Sequence, residues 1–256
     1  MKVITSEDIK KKYVKRFWKE TRRMLVKVRS QVVEQSEHTD ADRLKPMVRE
    51  LLNSKFVKDQ LMAIWSEVGG KFAFDTERTL KFQKAGFDSY ELKEDRRKYW
   101  NERSVEILSR KLLKKIDSIL DSETDAINRV IDEVVERIST EGLGIPQGRK
   151  LLKESLSGEA MTTMENWQAQ RIAMTEVGGA ANTGSYEGAK DVPGVKKEWL
   201  FIPGLKTFRA NHQDYGNMEP QDMSYEYLPG LKFPGDANAE ADEVINCYCS
   251  IGYSVD

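Results

Sequence analysis

Before Asp191, apolar residues recur mostly at steps of three and four, the spacing that gathers them on one face of an α-helix. Residues 6–35 predict one amphipathic helix with a stripe of Ile9, Tyr13, Phe17, Met24, Leu25, Val28 and Val32. Ser6 stands where an N-cap belongs, and Glu7 and Asp8 sit at the positive end of the helix dipole. After a polar stretch at 37–42, Leu44, Met47, Val48, Leu51 and Leu52 form a second stripe, and Phe56, Leu61, Ile64, Trp65 and Val68 a third. Gly69-Gly70 predicts a break or bend, because paired glycines are poor helix formers. A helix over 72–84 ends at Gly86, and a long charged stretch over 89–139 carries apolar positions from Trp100 to Ile138, with a turn expected near 121–125. Such a pattern suits helical hairpins or a bundle packed along narrow seams.

Gly142, Gly144, Pro146 and Gly148 punctuate the next stretch of chain, and a short helix over 147–156 ends at Gly158. Another helix, over 165–189, holds Gly178, Gly179, Ala180, Ala181, Gly184 and Gly188. Each interior glycine costs a helix about 1 kcal/mol relative to alanine. So many of them predict close approach of another backbone, expected to be that of the C-terminal module; a plain break near Gly178 is the alternative. At Asp191 the composition changes, with five of the seven prolines at Pro193, Pro203, Pro220, Pro229 and Pro234. Residues 195–202 and 248–255 predict β-strands, the first bounded by Pro-Gly pairs. The expected fold is mainly α, with a helical region over 1–160 and a small α+β module over 161–256, whose antiparallel sheet packs on the glycine-rich helix.

Composition sharpens this picture. Of 256 residues, 32% are charged and 39% hydrophobic, a balance that favours long solvated helices over a deep apolar pocket. The net charge of −1 gives the whole chain no electrostatic footprint for nucleic acid or an acidic membrane. The first helix alone is strongly basic, with Lys10, Lys11, Lys12, Lys15, Arg16, Arg22 and Arg23. It reads either as a solvated face whose lysine stems cover apolar surface, or as a contact for packaged DNA or an acidic partner protein. No apolar run is long enough to span a bilayer, the opening residues do not form a secretory leader, and no contact with a membrane is expected. The chain's two cysteines, Cys247 and Cys249, make no disulfide framework and suit a reducing compartment.

One group of soft ligands stands out: His212, Cys247 and Cys249, with Asp214 and Asp236 nearby in sequence. Imidazole and thiolate together are zinc-compatible ligands. Cys-x-Cys on an extended strand, however, sends its side chains to opposite faces, so one ion can use both only where the backbone turns between them. Two small buried thiols beside a hydrogen-bonded histidine, or a strained disulfide, are the other readings. A cysteine nucleophile with His212 as base would make a metal- or thiol-dependent hydrolase. No glycine-rich nucleophile signature, P-loop, dinucleotide fingerprint or H-E-x-x-H supports an enzyme, and the expectation is a non-enzymatic protein without a cofactor.

The same segment carries a resemblance. Arg171-Ile172-Ala173-Met174-Thr175-Glu176 followed by a small-residue helix, then Lys197 and Trp199, Arg209 and His212, Pro234-Gly235-Asp236, and Asn246-Cys247 with Cys249 resemble, in this order, the motifs of phage Mu F-like head morphogenesis proteins. Met174 and Tyr248 stand where that family has arginines, and the residues 203–208 replace an expected aspartate. The resemblance implies a minor capsid protein of a tailed bacteriophage, partnered by the portal protein, the major capsid protein or both, and located in the head interior or at the portal vertex after assembly in the host cytoplasm. Some relatives carry a toxin domain after the module; none is expected here. On this reading Glu176 and Arg209 are candidates for a buried ion pair, with His212 near the Pro234–Asp236 turn or the cysteines.

Overall fold

The computed structural model describes residues 3–4, 7–85, 94–202 and 208–255; Ser6, Gly86, Ser89 and Pro203-Gly204, to which the sequence assigns boundaries, lie outside them. The chain divides into two compact units, neither contiguous in sequence. One gathers Met1–Phe17, Leu61–Lys111 and Ala173–Asp256; the other gathers Trp18–Gln60 and Leu112–Ile172. From Ala173 onward the C-terminal module therefore shares its unit with two earlier stretches of chain, while its first residues belong to the other.

The second unit is all helix. Helix α1 (Glu7–Val28) supplies its last turns, followed by α2 (Ser30–Gln35), α3 (Ala41–Leu44), α4 (Val48–Leu51), most of α5 (Ser54–Ile64), α8 (Leu112–Glu141), α9 (Ile145–Ser157) and the start of α10 (Glu159–Ala189). The helix expected over 6–35 is interrupted at Arg29, whose φ of −94° and ψ of 1° separate α1 from α2. Helix α8 packs on α3, α4 and α9 through a buried stripe of Ile116, Leu120, Ile127, Val130, Ile131 and Val134. The turn expected at 121–125 does not form. Glu123 belongs to the buried stripe and faces Arg29 at 3.8 Å, while Asp117 and Asp121 receive Arg49 at 2.9 and 3.0 Å. Acidic residues that suggest a loop are thus distributed between an inner and an outer ion pair on one unbroken helix. Burial pushes the Glu123 carboxyl up to about 7, against the pull of Arg29.

In the first unit the Gly69-Gly70 pair does not end the helix. A π-helical turn, Trp65–Gly69, joins α5 to α6 (Gly70–Ala85). A Cβ on Gly70 would lie 1.9 Å from Asn101 Oδ1, and one on Gly69 would lie 2.9 Å from Ser104 Oγ. Both neighbours are on α7 (Glu94–Ser109), so the glycines make room for that helix. Glu77 clamps the pair: it accepts from Arg96, Lys81 and Trp100 Nε1 while its side chain is 3% exposed.

Helix α10 runs unbroken through its glycines. A Cβ on Gly184 would meet the Gly69 carbonyl at 2.1 Å, and one on Gly188 the Ala73 carbonyl at 2.3 Å. On the module side a Cβ on Gly178 or Gly179 would lie 3.6 or 3.5 Å from the carbonyl of Cys247 or Gly235. The expected close approach is therefore made by two partners, and the tighter one is the π-turn and α6.

The sheet is antiparallel and four-stranded, in the order β1 (Val3–Ile4), β4 (Ser250–Val255), β2 (Val195–Leu200), β3 (Gln221–Asp222). Lys197 pairs with Tyr253 and with Gln221, and Val3 also pairs with Tyr253. Leu80, Ala189, Val192, Val195, Phe233, Ile251 and Tyr253 form one buried cluster. The chain is mainly α with a small α+β module, as the sequence pattern predicts.

Candidate functional site

A second buried cluster, Trp199, Tyr227, Leu231, Cys247 and Cys249, surrounds the soft ligands. His212 is on α11 (Ala210–Gly216), and the cysteines lie between α12 (Ala241–Val244) and β4. Asn246 precedes them with φ of 56°, a left-handed conformation that asparagine tolerates better than most side chains. Its turn, and the irregular backbone beyond it, remove the alternation of an extended strand. Both sulfurs consequently face one imidazole: His212 Nδ1 is 3.6 Å from Cys247 Sγ and 3.7 Å from Cys249 Sγ. Both thiols are free, and the three residues are only 2–7% exposed.

The opposite ring nitrogen is committed. Glu243 Oε2 lies 2.8 Å from His212 Nε2, and Asn211 Nδ2 donates to both oxygens of that carboxylate at 3.2 Å. A carboxylate at Nε2 selects the tautomer protonated there and directs the lone pair of Nδ1 at the sulfurs. Trp199 packs edge-on against the ring, with centroids 4.7 Å apart, and Tyr215 and Tyr227 close on Trp199 at 5.2 and 5.0 Å.

The cysteine segment is held from several sides. Arg209 donates to the carbonyls of Asp242 and Ile245, and Thr175 Oγ1 accepts from the Asn246 N–H at 3.1 Å. The Cys249 carbonyl accepts from Asn182 Nδ2 at 3.1 Å and from Lys10 Nζ at 3.2 Å. Lys10 also donates to Ser250 Oγ at 2.8 Å. Cys249 is held down to about 5, chiefly by the hydrogen bond it shares with Cys247 and, against burial, by the neighbouring His212. The same bond to Cys249, with burial, raises Cys247 well above the ordinary thiol range.

Other sequence-predicted residues have structural roles. Lys197, fully buried on β2, donates to the carbonyls of Met223 and Tyr225 between the Tyr186 and Tyr227 rings; burial lowers its ammonium to about 8. Asp236 accepts from the backbone N–H groups of Lys232 and Asn238, tying the Pro234-Gly235-Asp236 turn, where Gly235 has φ of +76° and a Cβ would meet Gly179 at 3.1 Å. The Pro234 carbonyl accepts from Asn182. The expected Glu176–Arg209 ion pair is not made: Glu176 accepts from Trp65 Nε1 at 2.9 Å, and Arg209 serves carbonyls instead. Arg171 belongs to the other unit, where it donates to Ser122 Oγ and stacks on Trp167.

The basic run on α1 is also redistributed. Lys10 points inward, 7% exposed, and so is not available to DNA or a partner; Arg16 pairs with Glu67. Lys11, Lys12, Lys15 and Arg23 are exposed and Arg22 is half-buried. The contributions of Lys10, Asn182, Asn211 and Glu243 are not visible in the sequence. Asn182, a lone amide among glycines and alanines, is the one that its surroundings set apart.

The arrangement can hold a soft cation or activate a thiolate. Burial of both sulfurs suits a ligand better than a nucleophile that must meet a substrate. Among the described residues no helix is long and apolar enough to cross a membrane. Comparison with family models, curated proteins and solved structures finds no match.

Proposed function

We propose that this chain is a minor head protein of a tailed bacteriophage that acts by docking to the portal or the inner head, without turnover. The observation that carries the reading is the convergence of the ordered motifs. Thr175 and Glu176 on α10, Lys197 and Trp199 on β2, Arg209 and His212 at α11, the Pro234-Gly235-Asp236 turn and the Asn246–Cys249 segment lie in one unit, several of them in direct contact. Motifs that merely recur by composition have no reason to meet. Arg171 stands outside this group, and its share in the resemblance carries no weight in the site.

A module with buried polar anchors, whose two cysteines are buried, fits a part that is bound and retained. Co-expression with the portal and major capsid proteins of the genome that encodes it tests this. The expected result is co-elution with portal rings or with heads, at few copies per particle. A chain that elutes alone in the presence of both, while portal rings and heads assemble normally, overturns the reading.

A further inference from the structure

We propose that His212 Nδ1, Cys247 Sγ and Cys249 Sγ bind one zinc ion, with Glu243 fixing the imidazole from behind. The inference does not depend on the head-protein reading. The three ligand atoms lie within 4.8 Å of one another on buried residues. Zinc bonds of about 2.3 Å to sulfur and 2.0–2.1 Å to nitrogen, opened to the tetrahedral angle, put sulfur and nitrogen about 3.6 Å apart. The observed separations are 3.6 and 3.7 Å.

A packed-thiol arrangement explains this less well. One Nδ1 lone pair can accept one S–H, and a Cys247 S–H directed at Cys249 has no use for Nδ1, yet the two sulfurs stand at nearly equal distance from it. An ion between the three satisfies all of them at once. The charge also balances, since two thiolates and a divalent cation sum to zero, the condition under which such groups are tolerated in an apolar pocket. Trp199, Tyr227 and Leu231 supply that pocket.

The outer shell has the form that metal-bound histidines use. A ligating imidazole characteristically donates its other N–H to a carboxylate, which is itself hydrogen-bonded. Here Glu243 takes the Nε2 proton and Asn211 holds Glu243. Lys10 and Asn182 fix the Cys249 carbonyl, which sets where its sulfur points. Three protein ligands leave the fourth tetrahedral position to water or to a donor from a bound partner.

The test uses the full chain without a polyhistidine tag, purified from zinc-supplemented medium and dialysed. Elemental analysis is expected to give one zinc per chain, released stoichiometrically when a mercurial blocks the thiols. Cobalt(II) loaded after chelation is expected to show thiolate-to-metal charge transfer and the strong visible bands of tetrahedral coordination. Cys247→Ser and Cys249→Ser are expected to lose that charge transfer in part and to bind zinc far more weakly. Because those variants can also misfold, Glu243→Gln serves as the second probe. It keeps all three ligands and is expected to bind zinc about 10- to 100-fold more weakly, with an unchanged cobalt spectrum. Substoichiometric zinc, no cobalt–thiolate band, and thiols equally reactive with and without added zinc in the parent chain would overturn the site. That outcome leaves association with a portal untouched, so the two readings fail separately.

Discussion

Glu77 illustrates how one buried carboxylate can stabilise a helix pair. Burial alone would raise it, but hydrogen bonds from Arg96, Lys81 and Trp100 win and hold it at about 2, against an ordinary 4.5. A depressed folded-state value contributes stability that is fully present above pH 4.5 and is lost as pH falls through 2. After allowance for solvent screening of the partly exposed Arg96 and Lys81, the contribution is on the order of 2 kcal/mol. Glu77→Gln is therefore expected to be less stable than the parent at pH 6, with the gap narrowing steadily toward pH 2. Denaturant melts across that range measure it, and a gap independent of pH would show that the ionised form of Glu77 contributes nothing. The Glu123 carboxyl is the contrasting case: burial outweighs a single cation 3.8 Å away, and its value moves upward.

At the scale of elements, the glycines of α10 divide by what faces them. Alanine at Gly184 or Gly188 would put a methyl group 2.1 or 2.3 Å from a carbonyl oxygen of the π-turn or of α6, and each is expected to cost about 1–3 kcal/mol. Alanine at Gly178 meets its nearest neighbour, the Cys247 carbonyl, at 3.6 Å, an ordinary contact, and gains up to about 1 kcal/mol of helix propensity. Thermal melts of the three variants should thus differ in sign, and a uniform loss would mean that α10 is packed as tightly on the module as on α6. Much of this was legible beforehand. Apolar periodicity located the long helices, Pro193-Gly194 marked the start of β2, and the glycines announced close packing. The identity of the tighter partner was not legible, because a glycine shows that something approaches and not what. The unbroken α8 was missed for a related reason: acidic residues near 121–125 look like a turn until Arg29 and Arg49 are placed against them. The site divides in the same way. His212, Cys247 and Cys249 are visible as residue types, while Glu243 is one carboxylate among many until the fold brings it to Nε2.

For the molecule as a whole, a net charge of −1 conceals a local basic face. With Lys10 turned inward, the basic residues that α1 offers outward include Lys11, Lys12, Lys15 and Arg23. If this face meets packaged DNA, duplex DNA should be retarded at low salt, with affinity falling as salt rises because phosphate contacts release counterions. Replacing these four residues by glutamine should weaken binding and flatten the salt dependence; undiminished binding would rule this face out as the DNA contact. The inward turn of Lys10 has a consequence for synthesis. Its ammonium waits for Cys249 and Ser250, and β1 waits for β4, partners some 240 positions later. At about 5–20 residues per second, translation leaves the opening segment without its mates for roughly ten seconds to a minute. During that interval it is open to chaperones and proteases, so the soft-ligand pocket is assembled only once Cys249 and Ser250 have been made.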